Sequence, residues 1–154
     1  MSSAVRARLD AAGIVLPDPP TANGDYVPVV RHGDVVYIAG QLSRLAGGVI
    51  EGPVDDDTHV SLIVTAGQAC VGRALSALED ELGDLDLVER VLFLRGFLNA
   101  APDYRHHSVV LDAVSAALRT AFGESGGHAR SAVGVASLPA NGLLEIELVV
   151  AVRC

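Results

Sequence analysis

Two rhythms of apolar residues divide this chain. From Thr58 to Leu82 the apolar positions Ile63, Ala66, Cys70, Ala74 and Ala77 recur at steps of three and four, which predicts one buried helical stripe closed by Gly83. A second such stripe, Tyr104, His107, Leu111, Val114, Leu118 and Phe122, predicts a helix opened by Pro102 and capped by Gly123. Elsewhere the runs are short and rich in Val, Ile and Leu, as strands are. Tyr26–Arg31 and Asp34–Ala39 read as a hairpin about His32-Gly33, with Gly40-Gln41 ending its second strand. Gly47-Gly48 make another turn, after which Val49 and Ile50 suit a short strand. Leu87–Leu98 is a longer strand with Arg95 as its odd member. Ser131–Leu138 and Leu143–Val152 read as a closing hairpin turned at Pro139, Asn141 and Gly142.

Ahead of these elements, Ser2 or Ser3 caps a short helix carrying Val5, Leu9 and Ala12 and ending at Gly13. Pro17, Pro19 and Pro20 then impose an extended linker. Residues 1–23 are therefore expected to be an appendage docked on a domain formed by 24–154. The acidic run Asp55–Asp57 suits the start of the first long helix, with Asp57 able to cap it. Helices apolar on one face must cover one side of a single sheet, so the order predicts an α+β two-layer domain with a mixed sheet. The last strand is apolar at almost every position and is expected to be buried on both faces. One helix layer covers only one face, so a partner subunit is expected on the other.

Composition narrows the function. The 154 residues hold 11 basic and 19 acidic side chains, a net charge of −8. The basic residues are scattered, which disfavours nucleic-acid binding. No apolar run reaches membrane-spanning length and no signal-like opening is present, so a cytoplasmic protein without membrane attachment is expected. Cys70 falls on a helical stripe and Cys154 ends the sequence; no disulfide and no metal spacing follow from them. His106 and His107 are adjacent on a helix and diverge by about 100°, so they do not share an ion. His128, two residues before Arg130 in a Gly-rich loop, fits a structural role or the rim of a site equally. Neither a nucleotide-binding glycine pattern nor a G-x-S-x-G elbow is present.

The most informative pair is Arg130, entering an apolar strand, and Glu145, fifteen positions later on a strand expected to return beside it. Either they form a structural ion pair at a strand end, or Arg130 is a bidentate fork for a carboxylate ligand.

The stretch A-R-S-A-V-G-V-A-S-L-P followed by E-I-E resembles the C-terminal signature of the RidA/YjgF family, the reactive-intermediate enamine/imine deaminases, also labelled endoribonuclease L-PSP. Supporting matches are G-D-Y at Gly24–Tyr26, V-Y-I-A-G-Q at Val36–Gln41 and L-R-G-F-L-N at Leu94–Asn99 before P-D-Y. The resemblance spans roughly residues 24–153. It implies a chorismate-mutase-like fold assembled as a homotrimer, with no metal and no organic cofactor. By the same resemblance Arg130 holds the carboxylate of a 2-imino or 2-enamino acid, and Glu145 orients or activates the hydrolytic water. Tyr26 lines a pocket near a subunit boundary, and backbone around Gly40 completes the oxygen contacts.

Three positions of that shell depart from the family pattern. Ala39 stands where relatives carry Ser, Ala132 where they often carry Cys, and Asp112 where they carry Asn. Two classes of function follow: hydrolysis of 2-imino/enamino acids to 2-keto acids and ammonia, or non-catalytic binding of small carboxylates in a regulatory trimer. Retained Glu145 favours the first, Ala39 and Asp112 the second. Ribonuclease activity ranks third.

Overall fold

The computed structural model describes residues 3–154. Its centre is a five-stranded mixed sheet in the order β1-β2-β7-β5-β6, built from β1 (Val29–His32), β2 (Val35–Leu42), β5 (Val88–Asn99), β6 (Ala129–Val135) and β7 (Leu144–Val152). β3 (Arg44–Leu45) and β4 (Gly48–Val49) form a separate small hairpin. Two long helices, α2 (Val60–Leu82) and α3 (His107–Phe122), cover one face, and a short α1 (Ala4–Ala11) packs beside α3. The α+β two-layer expectation therefore holds.

Both helical stripes are apolar where the sheet needs them. Ile63, Ala66, Cys70, Ala74 and Ala77 of α2 are all buried, and Gly83 ends the helix in the left-handed conformation at φ 78° that favours glycine. Leu75, Leu78, Leu111 and Leu118 are fully buried; each such side chain stabilises the fold by about 1.5–3 kcal/mol relative to exposure. Contrary to the expectation that no apolar run reaches membrane-spanning length, α2 is long and apolar enough by length and composition, yet it lies mostly buried on the sheet as the core helix. Its N-cap is His59, whose ring accepts from the Ser61 N–H, rather than Asp57. Asp55 instead closes a turn with Asp57 and Thr58 ahead of the helix. α3 likewise starts at His107, five residues after the expected Pro102; Tyr104 is buried but lies before the helix, its hydroxyl 3.3 Å from the His106 carbonyl.

β2 also runs past the expected stop at Gly40-Gln41, to Leu42, through a register shift against β7 between Ile38 and Gln41. The larger correction concerns the closing hairpin. β6 and β7 are not neighbours: β5 lies between them, parallel to β6 and antiparallel to β7. The reason is α3. A strand followed by a crossover helix returns parallel to itself, so β6 takes the outer side of β5. The 3-10 turn Pro139–Asn141, with Ala140 and Asn141 at φ 51° and 55°, then carries the chain back to the sheet's middle.

Within the single chain, β7 is buried on its helix face alone. Leu144, Ile146, Leu148, Val150 and Val152 are buried under the helices, whereas Glu145, Glu147, Val149 and Ala151 alternate with them on the open face and are only half-buried. On that face Arg95 pairs with Glu147 and stacks 5.4 Å over the Phe93 ring, which explains the charge inside β5. Val30 and Tyr37 stand exposed around the pair.

The N-terminal segment is more than an appendage. Val5, Leu9 and Ile14 belong to the main core. Ser3 caps α1, and the Asp86 carboxylate accepts from the Ser3 hydroxyl and from the Ala4 and Val5 N–H groups. Those bonds hold the Asp86 carboxyl below its usual range. The following linker is tied to α2 by the Ser76 hydroxyl donating to the Pro17 carbonyl.

Candidate functional site

The seven expected site residues do not converge within one chain. Arg130 pairs in register with Leu94, which faces the helices, and its guanidinium reaches α3. Nη1 donates to the Ser115 hydroxyl at 2.9 Å; Nη2 donates to the Ser108 hydroxyl at 2.7 Å and the Ser108 carbonyl at 3.1 Å. Asp112 Oδ1 lies 2.8 Å from Nη2, so Arg130 is ion-paired, but with Asp112 rather than Glu145. This pair is lopsided: Arg130 is 22% exposed and Asp112 68%. Ala132, two residues along β6, is half-buried against the core. His128 bridges the Ser115 hydroxyl and the Gly126 carbonyl, at 2.9 and 2.6 Å. Burial foremost, with the Arg119 and Arg130 charges behind it, depresses its pKa and keeps the ring neutral. It therefore braces the Arg130 cluster.

Glu145 lies two strands away. It pairs with Phe97 of β5 and Leu42 of β2, on the open face. Across the sheet, Arg130 and Glu145 are separated by two strand spacings, about 9.6 Å, and along it by three residues, about 10 Å. Tyr26, Gly40 and Glu145 together line a cavity of about 120 Å³. It opens at the outer edge of β2 beyond Ile38, where the pairing with β1 has stopped. The Glu145 side chain packs against Gly40, and a Cβ at this position would displace its Oε1. Glu145 has no ion-pair partner among the described residues. Burial, then the Glu147 charge, raises its pKa, so the carboxylate is a stronger base than a free glutamate. Ala39 lines a different cavity, on the open face with Tyr37, Phe93, Arg95 and Glu147.

Two further residues of the Glu145 cavity escaped the reading of the sequence: Arg44, at the start of β3, and Arg73 of α2. Arg73 did carry a signal, as the only charged side chain between Val60 and Leu78 of a core helix. Cys70, one turn earlier, is buried, with its Sγ 3.6 Å from the Leu144 carbonyl and its thiol pKa pushed far up by burial; it is a core residue. Cys70 and Cys154 are both free, and no cluster of metal-ligating side chains exists among the described residues.

Comparison with known proteins decides the family. The model of the family described as Endoribonuclease L-PSP matches residues 17–152. This chain belongs to that family, the RidA/YjgF proteins. Protein TCP17 of Trypanosoma cruzi is 37% identical over 151 residues, covering 97% of this chain and 94% of TCP17. A 2-iminobutanoate/2-iminopropanoate deaminase of Dermatophagoides farinae is 29% identical over 147 residues, covering 91% and 95%. Among solved structures, the Agrobacterium tumefaciens protein Atu1372, of unknown function, superposes with a TM-score of 0.88 at 34% identity, over 97% of this chain and 93% of that one. The expected site residues of this chain thus fall into two separate groups: Tyr26, Gly40 and Glu145 around the β2-edge cavity, and Arg130, Asp112 and Ala132 where edge strand β6 meets α3.

Proposed function

We propose that this RidA/YjgF member hydrolyses 2-imino or 2-enamino acids to 2-keto acids and ammonia, in pockets formed between the subunits of a homotrimer. The observation that carries the reading is the unpaired, half-buried Glu145 carboxylate in a cavity with Tyr26 and Gly40, its basicity raised by burial. A kinship with a deaminase over nearly the whole chain agrees with it.

The imine carbon is already electrophilic, so the protein has three tasks: to fix the acid group, to place a water and to move its proton. Glu145 takes a proton from the water as its oxygen bonds to the imine carbon. The same carboxylate passes that proton to nitrogen, giving the carbinolamine, and then carries the hydroxyl proton to nitrogen as the carbon–nitrogen bond breaks, leaving the keto acid and ammonia. Arg130 of the adjoining subunit holds the substrate carboxylate. A cyclic trimer uses heterologous contacts, which join one edge region of a subunit to a different region of the next. That is what two separated half-sites on one subunit require. The open face with Val30, Tyr37, Phe93 and Val149 supplies apolar surface for such assembly. No metal or organic cofactor enters this chemistry.

Asp112 supports a second reading. It occupies the guanidinium that should receive the ligand, and Ala39 offers no hydroxyl, as in a carboxylate binder without turnover. Ribonuclease activity ranks last, since a chain of net charge −8 repels a phosphate backbone. The test generates imino acids in situ with an amino-acid oxidase and follows keto-acid release, with and without chelator, alongside light scattering. Trimers that accelerate release, unaffected by chelator, are expected. Trimers that bind 2-ketobutyrate without accelerating release select the binder, and a monomer at full secondary structure removes the shared pocket.

A further inference from the structure

Arg44 and Arg73 both line the Glu145 cavity, and neither has an acidic partner among the described residues. Arg73 Nε is buried and makes no hydrogen bond, the one side-chain nitrogen or oxygen among the described residues left so. Leaving a buried donor unmatched costs free energy that a protein ordinarily avoids. Two guanidiniums facing one cavity repel each other as well. Burial and then the Arg44 charge make Arg73 easier to deprotonate than a free arginine. Arg73 nevertheless stands alone among uncharged residues of α2, where an aliphatic side chain would pack without such a cost. An anion seated between the two arginines would cancel the repulsion, taking charge-assisted hydrogen bonds from their guanidiniums.

We propose that Arg44 and Arg73 form a second acid-binding subsite, and that the ligand of this pocket is a dicarboxylate whose side-chain acid group docks there. This rests on the reading above, in which a keto or imino acid lies beside Glu145 with its main carboxylate on Arg130 of the neighbouring subunit. The reacting carbon then sits between two cationic anchors, one at each end of the ligand. The repulsion that Glu145 exerts on a doubly charged ligand is offset by two guanidiniums in the same cavity.

Calorimetry on the full-length protein with 2-ketoglutarate and 2-ketobutyrate tests this. Wild type should bind the dicarboxylate roughly tenfold or more tightly than the monocarboxylate, the increment of one charge-assisted fork. Arg73→Met, which keeps the stem packed, should collapse that ratio towards one. So should Arg44→Gln, at an exposed position where folding is not at risk. Equal affinities for the two acids in wild type would overturn the proposal, as would a ratio unmoved by both variants. The two readings fail separately. If Arg130→Lys changes neither affinity while Arg73→Met still collapses the ratio, the second subsite stands and the Arg130 anchor falls. If 2-ketobutyrate binding depends on Arg130 and the ratio is one, the reverse holds.

Discussion

Arg130 and Arg73 are the same residue type in opposite circumstances. Arg130 sits in the family's most specific sequence stretch, and both of its terminal nitrogens are engaged, by Ser108, Asp112 and Ser115. Arg73 sits in an unmarked helix, its Nε is buried without a partner, and the charge that acts on it most strongly is another arginine. Sequence similarity thus points to one guanidinium and unsatisfied electrostatics to the other. A satisfied arginine can be a structural tie between β6 and α3. An unsatisfied one retained in a cavity needs a reason outside the chain. Glu145 shares the second condition, and the same cavity.

The largest expected effect falls on Glu145. Glu145→Gln keeps the side chain's shape and removes its capacity to accept a proton, so turnover should drop by at least about 100-fold, the usual contribution of a general base. Carboxylate binding should survive or tighten, since a nearby negative charge is gone. Keto-acid release and calorimetry on the same preparation check both halves. Turnover that persists in Glu145→Gln would move the base elsewhere and leave the β2-edge cavity a binding site only.

Arg130 comes next. Arg130→Lys retains the charge and loses the planar fork, so affinity for 2-ketobutyrate should fall about tenfold. If only the melting temperature falls, Arg130 is the structural tie and the comparison with Arg73 becomes a plain division between structure and binding. Asp112→Asn acts in the opposite direction. Because Asp112 is largely exposed, its pairing with Arg130 is a weak competitor. Releasing the fork should tighten 2-ketobutyrate about two- to fivefold, the size of an exposed ion pair. A weaker complex would instead mean that Asp112 holds Arg130 in its working orientation.

The helices, most strand positions and the two-layer class were legible because periodicity records which face is buried. Ile63 to Ala77 and Leu111 to Leu118 repeat at the helical step and face the sheet. Strand order was not legible in the same way. Ser131–Leu138 and Leu143–Val152 have the composition of a hairpin, but their neighbours are set by the α3 crossover, which places β5 between them. That single topological fact separates Arg130 from Glu145, so that the ion pair Arg130 makes is with Asp112. The family signature named Arg130, Glu145, Tyr26 and Gly40 from local patterns, and the fold groups three of these four in one cavity. Arg73 lay outside that signature. Its meaning depends on Arg44 and on the open edge of β2, both distant in sequence, so only its isolation in an apolar helix was visible.

The smallest expected effect tests whether Glu145 belongs with Arg73 or merely beside it. Burial, then Glu147, raises the Glu145 pKa in the folded chain above its unfolded value. The folded state therefore binds that proton more readily, and keeping the carboxylate ionised costs stability at every pH above the raised value. As pH falls through it, the cost diminishes, and below the unfolded glutamate value it is gone. Glu145→Gln should accordingly melt higher than wild type at pH 7, by an amount on the order of a few degrees, with the two curves converging as pH is lowered into the carboxylate range. Thermal unfolding of both proteins across that range reads the effect without any ligand. A Glu145→Gln variant that melts lower at pH 7 would mean that Arg44 and Arg73 already stabilise the ionised Glu145. The three charges would then form an internal network, and the two arginines would have their anion within the chain.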